Sequence, residues 1–348
     1  MKIGIITFHW ATNYGAVLQA YALQAYLIGC GYDVKIINYL PLRVIIMQLY
    51  NVIRKLDFRW FVKEYNINKF RKQCLALSEK TFFTNKSLAK HCNNYDVYVC
   101  GSDQIWNEAF TLSAEGKPTL SYFLNFTSED KRRISYAASF GTEVLSDRVV
   151  DLIKPQLSRF AKISVREKTG KSIIENMGFN AKLVVDPTLL LNRGNYDKLI
   201  ENITVESRTK FFSYILHGNQ SVVLKTEEYI QRKHFKDEPS YKKRPMGIFE
   251  WLYSVKGAEF VLTNSFHGVV FSLIFHTPFI VIPVENSDMN DRITTLLSLV
   301  GMENRQICEY DESRIDLLIS EEIKWESVDN KIQELKKESV EFLKEALI

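Results

Sequence analysis

The stretch that decides the fold class is residues 258–283, which read AEFVLTNSFHGVVFSLIFHTPFIVIP. Residues 260–262 and 279–282 are short apolar runs typical of buried strands, and the apolar run 269–275 between them is typical of a buried helix. The polar residues 264–268, Asn-Ser-Phe-His-Gly, fall where the first strand ends and the helix begins. The pattern therefore predicts a strand–turn–helix–strand unit of the kind that builds α/β proteins.

The polar cluster of this unit is a candidate binding site. In open α/β sheets, ligands bind at the carboxyl ends of the strands, where helix N-termini offer free N–H groups to anions. His267 would lie at that point, in a position to donate a proton to an anionic substrate. The alternative is a solvated histidine that merely follows Ser265, a good helix N-cap.

The chain begins with a similar unit. Residues 2–8 predict a buried strand, residues 16–28 a helix and residues 34–38 a second strand. A right-handed βαβ unit of this kind implies a parallel sheet. Its first turn contains neither GxGxxG nor GxxxxGK[ST], so the sequence gives no support to a dinucleotide site or a P-loop.

The strand and helix pattern restarts after residue 210, with a strand predicted over 211–216. A chain of 348 residues is long enough for two domains. We therefore predict an α/β fold of two Rossmann-like domains that face a cleft. The first spans residues 1–190 and carries a helical segment at 42–75, the second spans 191–330, and a terminal helix covers 331–348.

Composition limits the classes of function. The 46% hydrophobic and 25% charged residues are typical of a soluble globular protein. A net charge of +4 does not indicate binding to duplex nucleic acid, although it suits an enzyme with anionic substrates. The five cysteines are scattered, without CxxC pairs or metal-ligand spacing. We therefore expect reduced thiols, a cytoplasmic location and no metal site.

One segment has an unusual composition. No apolar run of the sequence is long enough to span a membrane. Residues 42–72 instead interleave apolar and aromatic residues with arginine and lysine. Such a segment either lies on an anionic membrane surface or packs on its own domain with the basic side chains in water.

Further polar loops follow predicted strands of the first domain. Asn13, Asp103, Ser139 and Arg166 each lie in a loop of this kind. Because the carboxyl ends of parallel strands meet at one edge of a sheet, these residues should lie close together. His267 should lie at the facing edge of the second domain.

Three of the charged residues each have two interpretations. The planar guanidinium of Arg166 suits a carboxylate or phosphate ligand, or it pairs internally with Glu167 or Asp186. Asp103 is a candidate base for a hydroxyl group, or else a helix N-cap. Arg292 lies beyond the last predicted strand, where it either approaches an anion at the neighbouring helix or stays on the surface.

The chain resembles the polysaccharide pyruvyl transferase family over residues 2–300. Six motifs occur in the family's order, each weak alone and specific as a set. They are Gly4-Ile5-Ile6-Thr7 with Asn13-Tyr14-Gly15-Ala16-Val17-Leu18-Gln19, then Gly101-Ser102-Asp103-Gln104-Ile105-Trp106-Asn107, Tyr136-Ala137-Ala138-Ser139-Phe140-Gly141, Ser164-Val165-Arg166-Glu167, Val185-Asp186-Pro187-Thr188 and Thr263-Asn264-Ser265-Phe266-His267-Gly268. The resemblance implies a fold similar to the two-domain GT-B glycosyltransferases.

The resemblance also implies a reaction. Characterised members of the family transfer the pyruvyl group of phosphoenolpyruvate onto two hydroxyls of a sugar as a cyclic ketal. They use an arginine at the position matching Arg166, a histidine at the position matching His267, and a basic residue in a later loop. Here that loop, near Ser287 and Asp288, has no lysine, and Arg292 is the nearest cation.

On this resemblance we expect His267 and Arg166 to be the catalytic residues, with His267 as the general acid that protonates C3 of phosphoenolpyruvate. Arginines and helix N-terminal N–H groups would offset the charges of this polyanion. The expected substrate-binding residues are Asn13, Tyr14, Gly15, Asp103, Asn264, Ser265, Gly268 and Arg292.

The resemblance further implies the setting of the enzyme. Phosphoenolpyruvate would be the donor on the second domain, with no other cofactor and no metal. The first domain would bind the acceptor, a lipid-linked sugar in exopolysaccharide or capsule biosynthesis, and the enzyme would be peripheral at the inner membrane face, without a nucleic-acid partner. Two alternatives remain: a GT-B glycosyltransferase that uses a nucleotide sugar, and a non-catalytic glycan-binding relative.

Overall fold

The computed structural model of the chain describes residues 1–42, 46, 49–50, 53, 58–108, 120–203, 210–216, 221–237, 245–285 and 287–348. These residues divide into two units, Met1–Leu190 with Leu335–Ile348, and Leu191–Glu334. The terminal helix runs over Trp325–Leu347, so it begins before the predicted residue 331. The segment predicted to be helical at 42–75 falls partly outside the described residues.

A parallel sheet forms the centre of the first unit. The strands and helices of this unit are β1 (Lys2–Ile6), α1 (Tyr14–Gly29), β2 (Asp33–Tyr39), α2 (Phe58–Cys74), β3 (Leu77–Phe82), α3 (Asn85–His91), β4 (Val97–Cys100), a 3₁₀ turn (Leu120–Phe123), β5 (Arg132–Ser135), α4 (Asp147–Leu157), β6 (Ser164–Val165), α5 (Lys168–Asn176), β7 (Lys182–Leu183) and a 3₁₀ turn (Pro187–Leu189). Five strands pair in the order β3-β2-β1-β4-β5, all parallel. Strand β4 is buried along its whole length, which explains its continuous apolar sequence.

The strands that follow β5 continue the alignment of strand ends. Strand β6 pairs in parallel with β7. Isolated parallel bridges connect Ile134 to Lys162 and Ala138 to Val165, so that β6 runs alongside the segment that continues β5. The carboxyl ends of β4, β5 and β6 therefore lie next to one another.

The second unit has a smaller parallel sheet. Its elements are α6 (Arg193–Ile200), β8 (Phe211–Tyr214), α7 (Ser221–His234), α8 (Ile248–Gly257), β9 (Phe260–Thr263), α9 (Phe266–Phe275), β10 (Phe279–Val281), 3₁₀ turns (Asp288–Asn290 and Glu303–Arg305), α10 (Asp291–Val300) and α11 (Glu312–Ser320), and the terminal helix, α12, starts here at Trp325. The three strands pair in the order β10-β9-β8, all parallel. Every residue of α9 except Ile274 is buried, as its apolar sequence predicts. The predicted α/β class with parallel sheets is confirmed.

Two strands of the first unit differ from the sequence analysis. Strand β3 was not predicted, because three of its six residues are exposed and it lies at the edge of the sheet, without an apolar run. Strand β5 spans Arg132–Ser135, whereas the apolar sequence pattern predicts a strand over 134–138. The backbone of Ala137 has a φ of 51°, outside the extended region, so the strand cannot continue through it.

The loop after β1 contains a buried histidine. The side chain of His9 has its Nδ1 3.2 Å from the carbonyl oxygen of Thr7 and its Nε2 3.1 Å from Oδ1 of Asn38. Burial lowers the pKa of His9 from 6.5 to about 4. The folded protein therefore keeps this ring neutral at a pH where the unfolded chain protonates it. Stability that is present above pH 6.5 is lost as the pH falls towards 4.

We expect the His9→Gln variant to lose less stability on acidification than the wild type. Between pH 7 and pH 5, the free energy of unfolding should fall by about 2 kcal/mol more in the wild type, because only the wild type must keep a buried imidazole neutral. Urea denaturation at both pH values measures this difference. The matched control for the substitution itself is His91→Gln, which changes an exposed histidine. Equal losses in His9→Gln and the wild type would contradict the prediction.

Candidate active site

Three of the predicted site residues of the first unit come from adjacent backbone segments. Asp103 bridges to Ala138, and Ala138 in turn bridges to Val165. The backbone N–H of Ser139 donates to the carbonyl oxygen of Asp103 at 3.0 Å. Asp103, Ser139 and Arg166 therefore lie at one edge of the sheet, as the parallel strand order predicts.

The guanidinium of Arg166 is surrounded by carboxylates. It donates from Nη1 to Oδ2 of Asp186 at 2.8 Å and from Nη2 to Oδ1 of Asp103 at 3.1 Å, and its Nε lies 4.0 Å from Oε2 of Glu167. Burial alone would lower the pKa of Arg166, but these three carboxylates outweigh it and hold the pKa above its ordinary value. The internal pairing with Asp186, one of the two interpretations of Arg166, is thus present. It extends to Asp103, which the sequence did not suggest as a partner.

The two carboxylate oxygens of Asp103 differ in their contacts with the protein. Its Oδ1 accepts from the backbone N–H of Gln104 at 2.9 Å and from Arg166. Its Oδ2 accepts no hydrogen bond from the residues that the structure describes, and the side chain is 15% exposed. The residue has a φ of 75° and does not begin a helix, so the N-cap interpretation is wrong. The arrangement suits a carboxylate that accepts a proton or a hydroxyl.

A buried polar chain links this loop to helix α1. Gln19 donates from Nε2 to Oγ1 of Thr7 at 2.8 Å and accepts through Oε1 from the backbone N–H of Ser102 at 3.0 Å. The Ser102 hydroxyl lies 3.1 Å from Oδ2 of Asp186. Gln19 ends the first of the six motifs but was not among the expected site residues, although a glutamine on the apolar side of a helix is a signal for a buried polar contact. These contacts fix the loop that carries Asp103.

Asn13, Tyr14 and Gly15 form the start of α1. The side chain of Asn13 is the N-cap and accepts from the backbone N–H of Ala16 at 3.2 Å. Tyr14 is buried, and Nζ of Lys63 lies 4.6 Å from its ring centroid. Burial lowers the pKa of Lys63. Lys63 is a cation beside this loop that could not be expected from the sequence, because it comes from helix α2, far along the chain.

The predicted residues of the second unit gather at the start of α9. Ser265 is the N-cap and accepts from the backbone N–H of Gly268 at 3.4 Å, and Asn264 accepts through Oδ1 from the backbone N–H of Leu216 at 2.8 Å. A Cβ on Gly268 would lie 2.3 Å from Oγ1 of Thr263, which explains why this position is glycine. The pattern is a helix N-terminus closely packed against the end of β9.

His267 belongs to the first turn of α9 and is only 6% exposed. The interpretation as a solvated histidine is therefore wrong. Its ring meets that of Phe266 edge-on, with 5.2 Å between centroids. The side chain of Arg292 is half-buried, and its guanidinium lies 5.8 Å from the ring centroid of Phe266. Arg292 therefore approaches the start of α9 and does not lie on the open surface.

The described part of the chain contains neither a metal-binding cluster nor a membrane-spanning helix. Within it, no group of three or more histidine, cysteine, aspartate or glutamate side chains is placed to hold a metal ion. No helix in the same residues combines the length and apolar character needed to cross a membrane.

Comparisons with known proteins bear on the fold and the family. Residues 13–286 match the model of the polysaccharide pyruvyl transferase family. No curated protein matches the chain significantly. UDP-N-acetylglucosamine 2-epimerase from Rickettsia bellii is similar in structure, with a TM-score of 0.54 and 9% identity over 99% of this chain and 96% of the epimerase. UDP-GlcNAc 2-epimerase from Methanocaldococcus jannaschii is also similar, with a TM-score of 0.50 and 13% identity over 92% of this chain and 92% of the epimerase. At such low sequence identities, these similarities show the fold alone. The shared fold confirms the predicted GT-B type.

Proposed function

The chain belongs to the polysaccharide pyruvyl transferase family, and on that premise we propose that it moves the pyruvyl group of phosphoenolpyruvate onto a sugar of a bacterial surface polysaccharide precursor, forming a cyclic ketal. The observation that carries the proposal is the family match over residues 13–286, because it includes both Arg166 and His267. The coarser conclusion, a transferase of polysaccharide pyruvylation, follows from the family itself.

The donor step is assigned to the second unit. His267, as general acid, protonates C3 of phosphoenolpyruvate, so that its methylene becomes a methyl group and C2 becomes an oxocarbenium-like carbon. The N–H groups at the start of α9 and the guanidinium of Arg292 offset the charges of the phosphate and carboxylate. The position of Arg292 over Phe266, the residue before His267, supports this role.

The acceptor step is assigned to the first unit. Oδ2 of Asp103 accepts the proton of the sugar hydroxyl that attacks C2, while Arg166, itself paired with Asp186, holds the carboxylate in place. Phosphate then leaves, and the second hydroxyl closes the ketal. Of the two hydroxyl protons released, one balances the proton taken up at C3 and the other passes to phosphate or solvent. Arg166 is a positioning residue in this scheme, since its hydrogen bonds go to carboxylates of the protein.

The setting of the reaction is also part of the proposal. The donor is phosphoenolpyruvate, with no further cofactor and no metal, and the acceptor is a lipid-linked oligosaccharide of exopolysaccharide or capsule synthesis. Such an acceptor would bring the enzyme to the cytoplasmic face of the membrane as a peripheral protein. The loop of Asn13, Tyr14 and Gly15 is proposed to contact the acceptor, whereas Asn264, Ser265 and Gly268 shape the donor end.

Phosphoenolpyruvate should stabilise the protein against heat. At a hundredfold excess over its dissociation constant, a ligand adds about 2.7 kcal/mol, which for a chain of 348 residues corresponds to a rise in Tm of about 4 °C. A thermal shift assay measures this, with 2-phosphoglycerate as the control for non-specific anion binding. A shift by UDP-sugars instead of phosphoenolpyruvate would indicate the glycosyltransferase, and no shift by either would indicate a non-catalytic relative. Both outcomes would overturn the proposal.

A further inference from the structure

Helix α2 is fixed to the first unit by one of its faces. Ile67 and Phe70 are fully buried, and the ring of Phe70 meets that of Tyr21 of α1 at 5.5 Å. The guanidinium of Arg71 donates to the backbone carbonyl oxygens of the loop after β1, at 2.9 Å to His9 and 2.7 Å to Ala11. The helix is thereby connected to the loop that leads to the N-cap of α1, on the proposed acceptor side.

The opposite face of α2 combines apolar and basic side chains in water. Phe61, Val62 and Tyr65 are 47%, 50% and 64% exposed. Lys69 and Lys72 are exposed as well, and the spacing of these five residues places them on one side of the helix. We call this set the α2 face. Nζ of Lys69 lies 4.8 Å from the ring centroid of Tyr65, so that cation and aromatic ring are in contact.

Further large apolar side chains are exposed among the described residues that precede α2. Leu42, Ile46, Leu49, Tyr50 and Ile53 are helical and exposed. In the sequence, their spacing of three and four residues is typical of the apolar side of an amphipathic helix. Of the sixteen exposed large apolar side chains in the described part of the chain, eight fall between Leu42 and Tyr65. A concentration of this kind marks an interaction surface.

The net charge of this region favours an anionic partner. Residues 42–72 contain eight lysines and arginines and two acidic residues, a net charge of +6. The whole chain has a net charge of +4, so the remaining residues carry 4 − 6 = −2. The net positive charge of the protein thus comes from the region that contains half of its exposed large apolar side chains in the described part of the chain. Aromatic and aliphatic side chains among lysines and arginines are the composition of surfaces that bind anionic bilayers.

We propose that the α2 face and the exposed residues before it dock on an anionic lipid bilayer. The apolar side chains enter the interfacial layer while the basic ones contact lipid phosphates. The contact from Arg71 to the loop after β1 places α2, which carries this docking surface on its other face, next to the proposed acceptor end, where a lipid-linked sugar would arrive. The inference deepens the proposed function, although bilayer binding itself requires neither donor nor acceptor.

Sedimentation with vesicles tests the proposal on the full chain. The protein should sediment with vesicles of phosphatidylglycerol and phosphatidylcholine at about 50 mM salt, and far less at about 500 mM, because salt screens the charges. It should not sediment with phosphatidylcholine alone. Failure to bind the anionic vesicles at low salt would overturn the proposal. The surface would then be interpreted as a binding site for another protein.

Paired variants show whether the α2 face is responsible. Lys69→Gln with Lys72→Gln should weaken partition into anionic vesicles about tenfold or more, and Phe61→Ser with Tyr65→Ser should do the same. The matched controls are Lys324→Gln with Lys337→Gln, and Val144→Ser with Leu224→Ser, which change exposed residues elsewhere. Equal effects in test and control pairs would refute the assignment. Since no substrate is present, this failure is distinguishable from a failure of phosphoenolpyruvate to shift the Tm.

Discussion

His267→Gln is expected to abolish pyruvyl transfer while leaving phosphoenolpyruvate bound. Glutamine has a similar size and still donates hydrogen bonds, but it cannot deliver a proton to carbon. The loss of a general acid typically lowers kcat about 10²–10⁴-fold. Because the donor charges are assigned to Arg292 and the N–H groups of α9, the Tm shift produced by phosphoenolpyruvate should persist in the variant.

The control for this experiment is a second histidine of the same unit. His234 pairs through Nε2 with Oδ1 of Asp316 at 2.8 Å, away from the start of α9. His234→Gln should keep wild-type turnover. His267 is buried, so the Tm of each variant without ligand must be compared with the wild type before a kinetic loss is interpreted. A kcat near that of the wild type in His267→Gln would exclude the role as general acid.

The sequence was sufficient to predict those parts of the fold that depend on local pattern. The apolar run of β9 followed by Ser265 and the apolar α9 could be recognised because strand, N-cap and buried helix each have a signature within a few residues. The same holds for β1 and α1. Strand β3 could not be predicted from the sequence, because an exposed edge strand lacks such a signature.

The contacts that organise the candidate site are mostly long-range. Asp103 and Arg166 are 63 positions apart, and Asp186 is a further 20 beyond Arg166. Their strand-end positions predicted that Asp103 and Arg166 would be neighbours, but which carboxylate would bind the guanidinium depends on the rotamers of three loops. Lys63 and Arg71 were missed for a related reason, since only the packing of α2 brings them to the loop after β1.

The burial of His267 shows a further limit of local reasoning. A polar residue in a strand-end loop is usually exposed, and the sequence therefore allowed a solvated histidine. In the structure the residue lies within the first turn of α9, where Phe266 packs against it. Buried titratable side chains are common at functional sites, which supports the proposed role of His267 as the general acid.

Asp103→Asn is expected to lower kcat about 10²–10⁴-fold, because the amide cannot accept the hydroxyl proton. Arg166 keeps its bond to Asp186 in this variant, so the fold should be retained. Arg166→Lys should also lose most activity, since a lysine cannot make the two separate bonds to Asp103 and Asp186. Steady-state kinetics with phosphoenolpyruvate as the varied substrate measures both effects, and the Tm shift measures donor affinity.

The double variant decides how Arg166 acts. If the guanidinium works by holding the Asp103 carboxylate, Arg166→Lys should lower kcat in the wild type and have little further effect on kcat in the Asp103→Asn background. The affinity for phosphoenolpyruvate should stay the same throughout, because the carboxylates around the guanidinium leave no net positive charge for a polyanion. Additive losses in kcat would show that Arg166 does not act through Asp103. A Tm shift by phosphoenolpyruvate that disappears in Arg166→Lys, with kcat preserved at saturation, would show instead that Arg166 binds the donor directly.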